Sequence, residues 1–63
     1  MAVVTKEPMA KVLVVDDERD ILDLVVLNLK RGGIDAVTAE DGLSAVKQAK
    51  KEAPDLIILD CFQ

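Results

Sequence analysis

Residues 11–18 read KVLVVDDE and residues 54–60 read PDLIILD. In the first stretch Val12-Leu13-Val14-Val15 is an aliphatic block without polar alternation, the pattern of a strand covered on both faces of a parallel sheet. Leu56-Ile57-Ile58-Leu59 repeats it, and each block ends in carboxylates: Asp16 and Asp17 after the first, Asp60 after the last. Working outward, Ile21, Leu22, Val25, Val26 and Leu29 recur at helical spacing from about Glu18 to Arg31. Acids open that run, and Lys30-Arg31-Gly32-Gly33 closes it with a basic last turn and a C′ glycine. Asp35 to Ala39, with β-favouring Val37 and Thr38, predicts a second strand, and Glu40-Asp41-Gly42 reads as a loop. Leu43, Val46 and Ala49 give a second helix with Lys47, Lys50 and Lys51 facing water, ended before Pro54 because a residue preceding proline avoids helical geometry.

The order is therefore βαβαβ over residues 11–63, preceded by a tail at 1–10 that Pro8 interrupts and that carries no sustained period. Right-handed crossovers place one helix on each face of a three-stranded parallel sheet, with the second strand on one side of the first and the third on the other, order 2-1-3. Ligands of such α/β sheets bind beyond the carboxyl ends of the strands, at the point where the strand order switches direction. Asp16, Asp17 and Asp60 all end there, on strands about 4.8 Å apart. Carboxylates so crowded repel one another unless a cation or a proton compensates. Mg2+ suits them, being hard, oxygen-seeking and content with one or two carboxylates and several waters. The first strand–helix turn, Asp16-Asp17-Glu18-Arg19-Asp20, excludes a glycine-rich phosphate cradle. A plainer reading stands beside the metal site: acids at a helix start serve as dipole-favourable caps. Asp60, closing an aliphatic strand, has no such capping job.

Composition bounds the function. The 63 residues carry a net charge of −4, no histidine, and Phe62 as the one aromatic residue, which works against phosphate-backbone binding and base stacking; no nucleic-acid partner is expected. No apolar run approaches the length of a bilayer span, and no basic segment precedes a signal core, so a soluble, cytoplasmic protein is expected. A single cysteine, Cys61, excludes an internal disulfide; with no basic neighbour to lower its pKa it reads as a small apolar strand-end residue.

KVLVVDDE at 11–18, the helix ending in Gly32-Gly33, Thr38-Ala39-Glu40-Asp41-Gly42 with Ala45 following, and PDLIILD at 54–60 together resemble the receiver domain of two-component response regulators, over residues 10–60. The resemblance implies the first half of a flavodoxin-like receiver that is not itself an enzyme. It implies Asp60 as phosphoacceptor, Asp17 as a direct Mg2+ ligand, Asp16 as a second acid acting largely through water, and the main-chain carbonyl of Phe62 as a further ligand. A sensor histidine kinase or phosphotransfer protein is the implied partner. The switch Ser or Thr and the lysine that receivers carry on later strands have no counterpart here; Lys6, Lys11 and Lys47 match no motif for that role.

So short a chain buries only about 60% of the surface its unfolded form exposes, and the third strand of a truncated receiver leaves an unprotected edge. A homodimer through that edge, giving a six-stranded sheet, is expected to complete the fold. Leu24 and Leu27 lie off the main stripe of the first helix and are expected to pack against a neighbouring helix rather than to form a kinase-docking surface. The alternative function is a structural fragment that pairs with itself or with an intact receiver and performs no phosphorylation chemistry.

Overall fold

The computed structural model describes residues 2–5 and 11–59. In chain order its elements are β1 (Ala2–Thr5), β2 (Lys11–Val15), α1 (Arg19–Arg31), β3 (Asp35–Ala39), α2 (Gly42–Glu52) and β4 (Leu56–Leu59). They form one sheet in the order β1-β4-β2-β3. β2 pairs in parallel with both neighbours: Val12 stands beside Ala36 and Leu56, and Val15 beside Ala39 and Leu59. The three parallel strands thus have the order read from the sequence, with the first of them in the centre.

Alternation along β2 divides the core in two. Val12 and Val14 point to the side of α1, where Leu22 is buried and Val25, Leu29, Ile34, Leu56 and Ile58 pack partly covered. Leu13 and Val15 point to the side of α2, with buried Ala39 and half-buried Val37, Ala45, Ala49, Ile57 and Leu59. Val12 and Leu13 have no exposed surface at all. Each such side chain removed from water contributes about 1.5–3 kcal/mol, which makes β2 the element that holds both helices.

Two helix ends explain how the chain turns back into the sheet. After α1, the Gly33 N–H donates to the Lys30 carbonyl and the Ile34 N–H to the Leu29 carbonyl, both at 3.0 Å. That pair of bonds is a Schellman motif, which needs a left-handed residue at C′; Gly33 supplies it with φ 79°. Leu29 and Ile34 pack in the same cluster, the apolar contact that accompanies the motif. After α2 the corresponding left-handed residue is Ala53, φ 47° and ψ 58°, whose N–H donates to the Ala49 carbonyl. Here an L side chain occupies a conformation costing roughly 1–2 kcal/mol.

Three sequence expectations are corrected. Residues 2–5, read as part of a tail, form β1, antiparallel to β4 with Ala2 opposite Leu59 and Thr5 opposite Leu56. The edge of the third parallel strand is therefore paired within the chain and not left open. The physical reason is that an aliphatic strand with an unfilled hydrogen-bond ladder recruits whatever β-favouring segment can reach it, and Val3-Val4-Thr5 qualifies. Leu24 and Leu27, expected to pack against a neighbouring helix, are 59% and 48% exposed, because α1 lays Leu22, Val25 and Leu29 on the sheet and no second helix among the described residues shares that face. Gly42, read as the end of the Glu40-Asp41-Gly42 loop, is the first residue of α2, because Asp41 before it caps the helix: its Oδ1 accepts from the Ser44 N–H at 2.8 Å.

Candidate functional site

The site lies where β2, β3 and β4 end together. β2 hands over to Asp16, whose N–H donates to the Ala39 carbonyl at 3.1 Å, so the β2–β3 ladder runs one residue past the strand. Asp16 is 2% exposed. Its Oδ1 accepts from the Glu18 N–H at 2.9 Å, closing an Asx-type turn that bends the chain out of the sheet and into α1. Asp17, next in sequence, is exposed. The adjacent acids thus have different surroundings: one carboxylate is drawn inward and fixed by a backbone amide, and the other is presented to solvent at the rim. The bond of Asp16 goes to the N–H of Glu18, the N-cap residue of α1, and not to a helical N–H, and Glu18 makes no side-chain cap bond.

The rim is acidic with one cation across it. Arg19 reaches Asp23 at 3.8 Å along α1 and Glu40 at 3.7 Å on the β3–α2 connection, all three side chains well exposed. Exposed pairs of this length contribute little energy, but they bridge the two loops that flank the end of β2. Asp41, on the same connection, has its carboxyl held below the usual carboxylate range by the Ser44 backbone N–H. Among the described residues no three His, Cys, Asp or Glu side chains gather as a metal-holding group, and no buried side-chain nitrogen or oxygen lacks a partner. Asp60 and Phe62, together with Cys61, lie outside the described residues. Asp16 and Asp17 are therefore the two sequence-predicted site residues that the structure places, side by side at the carboxyl end of the central strand.

The opposite end of the sheet is closed by contacts that the sequence reading missed. The Asp55 N–H donates to the Lys11 carbonyl at 2.9 Å, the Lys11 N–H donates back to Asp55 Oδ2 at 3.2 Å, and Lys11 Nζ meets Glu52 Oε1 at 2.9 Å. The Glu52 carboxylate raises the Lys11 pKa, and Lys11 lowers that of Glu52. Lys11 thus begins β2 at the end away from Asp16, committed to Glu52, and takes no part at the acidic rim. Spacing alone gave no signal for this clasp, because its members stand 41 and 44 residues apart.

Three parallel strands with a helix on each face and an acid pair after the central strand form an α/β module whose acidic end is the candidate site. The chain matches the response regulator receiver domain over residues 12–62, and it belongs to that family; it is a receiver-type chain of two-component signalling. Over 50 residues it is 56% identical to the alkaline phosphatase synthesis transcriptional regulatory protein PhoP of Bacillus subtilis (strain 168), a match that takes in 79% of this chain and 21% of that protein. The chain thus spans about a fifth of that relative's length. No solved structure matches it. No helix among the described residues is long and apolar enough to cross a membrane.

Proposed function

We propose that this chain is the phosphoacceptor half of a receiver, taking a phosphoryl group on Asp60 from a sensor histidine kinase or phosphotransfer protein. The observation that carries the reading is the register of the two aliphatic strands: Val15 stands beside Leu59, and the sequence continues from them into Asp16 and Asp60. Neighbouring strands lie about 4.8 Å apart, so acids that follow Val15 and Leu59 directly in the sequence support one acidic site beyond the carboxyl end of the sheet.

The donor chemistry fits Mg2+. Asp17 offers an exposed carboxylate, Asp16 keeps Oδ2 beside its bond to Glu18, and Asp60 and the Phe62 carbonyl complete a hard, all-oxygen set of the kind this ion prefers. When bound, the ion shields the negative charge that develops on a transferring phosphoryl group. In the transfer a carboxylate oxygen of Asp60 attacks phosphorus, the P–N bond to the donor imidazole breaks, and the electron pair leaves with the histidine nitrogen. The buried turn at Asp16 holds its carboxylate in one orientation through the Glu18 amide, so Asp16 positions without reorganising.

Incubation with a small acyl phosphate and Mg2+, read by intact mass, tests the proposal. The chain is expected to gain one phosphoryl group, Asp60→Asn none, and Asp17→Asn markedly less at the same Mg2+ concentration. A wild-type chain that stays unmodified while its amide spectrum remains dispersed supports instead the reading of a structural fragment without phosphorylation chemistry.

A further inference from the structure

The connection from β3 into α2 carries Asp41-Gly42, and both residues are exposed. Aspartate followed by glycine is a pair in which the following backbone nitrogen readily attacks the side-chain carboxyl, because no Cβ shields that nitrogen and glycine leaves the chain free to reach the ring geometry. A Cβ built on Gly42 would meet nothing within 4 Å, so the approach is open in the folded chain as well. Three features of the fold oppose the attack. The Asp41 Oδ1 accepts from the Ser44 N–H at 2.8 Å, which ties the carboxyl to the first turn of α2. Closing a succinimide ring requires the Asp41 Cβ and the Gly42 nitrogen to eclipse about the Cα–C bond, and at ψ 175° they stand gauche. The Ser44 backbone amide also holds the carboxyl below the usual carboxylate range, so it stays ionised and a poor electrophile.

We propose that Asp41-Gly42 is a site of spontaneous backbone isomerisation to isoaspartate, and that the α2 cap is what restrains it. In the first step the Gly42 nitrogen forms a bond to the Asp41 Cγ, the bond from Cγ to its hydroxyl breaks, and the amide proton leaves with that hydroxyl as water. Water then adds to one of the two carbonyls of the succinimide. Cleavage between the nitrogen and Cγ restores aspartate. Cleavage between the nitrogen and the main-chain carbonyl carbon leaves the chain running through Cβ and Cγ, with the former main-chain carbonyl as a free carboxylate. Water is the co-reactant throughout, and the product has the mass of the starting chain. The rearrangement lengthens the main chain by one methylene and moves the carboxylate from the place where it meets the Ser44 N–H, so α2 loses its cap. Glu40, immediately before, carries the bridge to Arg19, so the change falls on a connection that flanks the acidic end of the sheet. The reaction belongs to the locally opened first turn of α2, and its rate follows how often that turn opens.

The test ages the full chain for weeks at neutral pH and reads isoaspartate by enzymatic methyl transfer to its free carboxylate, with peptide mapping to place it at 41–42. The unmodified chain is expected to form it faster in urea than in native buffer. Ser44→Pro removes the donor at a position whose N–H makes no helical bond, and in native buffer it is expected to form isoaspartate about fivefold faster than the unmodified chain, the factor that loss of one capping bond carries. Gly42→Ala, which sets a Cβ beside the attacking nitrogen in open space, is expected to form little in either solvent. Far-ultraviolet circular dichroism reads the helices of each chain. A helical Ser44→Pro chain that ages at the rate of the unmodified chain overturns the proposal. So does an unmodified chain that ages equally fast in both solvents, or one that forms no isoaspartate at 41–42 in urea. If Ser44→Pro loses its helices, the comparison of the two solvents decides alone.

Discussion

β2 and β4 are nearly the same strand in sequence, an aliphatic block leading to a carboxylate, and they are neighbours in the sheet, yet only one of them is inside the protein. Val12 to Val15 are buried by a helix on each face and a parallel strand on each side. Leu56 to Leu59, with equal or greater hydrophobicity, remain half-exposed. Composition therefore sets what a strand can bury, and position in the sheet sets what it does bury. Placing β2 first among the parallel strands and giving it the central place secures the two helices. It leaves β4 dependent on whatever lies at its outer edge.

The largest test of that contrast removes the same bulk from each strand. Leu13→Ala is expected to destabilise by about 3 kcal/mol, a transfer loss plus a cavity in a fully enclosed site. In so small a domain that is most of the stability. Ile57→Ala, where water already reaches the side chain, is expected to cost about 1.5 kcal/mol or less by the same reasoning. Urea unfolding followed by far-ultraviolet circular dichroism measures both. Equal losses would break the contrast, and would mean that β4 is as deeply covered in solution as β2.

A smaller effect sharpens it at the two crossovers. Gly33 closes α1 with φ 79° and open space where a Cβ would stand, so Gly33→Ala is expected to cost about 1 kcal/mol from backbone strain alone. Ala53 holds the equivalent left-handed position on the path into β4. Ala53→Gly is expected to gain about 0.5 kcal/mol, the relief of that strain less the extra freedom glycine gives the unfolded chain. Opposite signs in thermal melts are the expected outcome; a loss at both positions would show that Ala53 relaxes out of the left-handed region.

The smallest effect concerns the clasp that ties the two strands at their base. Glu52 has a lowered carboxyl pKa through its bond to Lys11. Its contribution is therefore present above the ordinary value of 4.5 and is lost as pH falls through the folded-state value below that. Lys11 is raised above 10.5 by the same bond, so its contribution is complete below 10.5 and is lost as pH rises through the higher folded-state value. Glu52→Gln is expected to flatten the low-pH limb of a stability-versus-pH curve measured by urea midpoint. An unchanged limb would assign that acid sensitivity to other carboxylates.

Much of this architecture was legible because parallel strands and amphipathic helices write their burial into sequence period. Asp35–Ala39 was read with the bounds it has, and the glycines after α1 fell at the left-handed turn expected of them. β1 was not legible: four residues are too few to show a period, and what recruits them is an edge created 51 or more residues later in the chain. Ala53 gave no signal because the residue does not match the conformation it adopts. At the site, the pairing of Asp16 with Asp17 was legible as charge. Their separation into one buried and one exposed carboxylate was not, since it arises from the Asx turn on Glu18, a single backbone bond with no periodic trace.

The parallel pairing of β2 with β4 also sets the order of events during synthesis. The Lys11–Asp55 contact closes a loop of 44 residues, so the central strand acquires its second neighbour only after both helices and the connection into β4 have left the ribosome. Until then β2 and β3, with their helices, form an unfinished sheet open at the β4 position, and β1, already made, has no strand to join. Topology of this kind folds slowly for its size, because non-local pairing has to overcome loop-closure entropy before it is rewarded. A nascent chain of this sequence therefore passes through an interval with its central strand uncovered on one side, where a chaperone able to hold an extended strand has the most to protect.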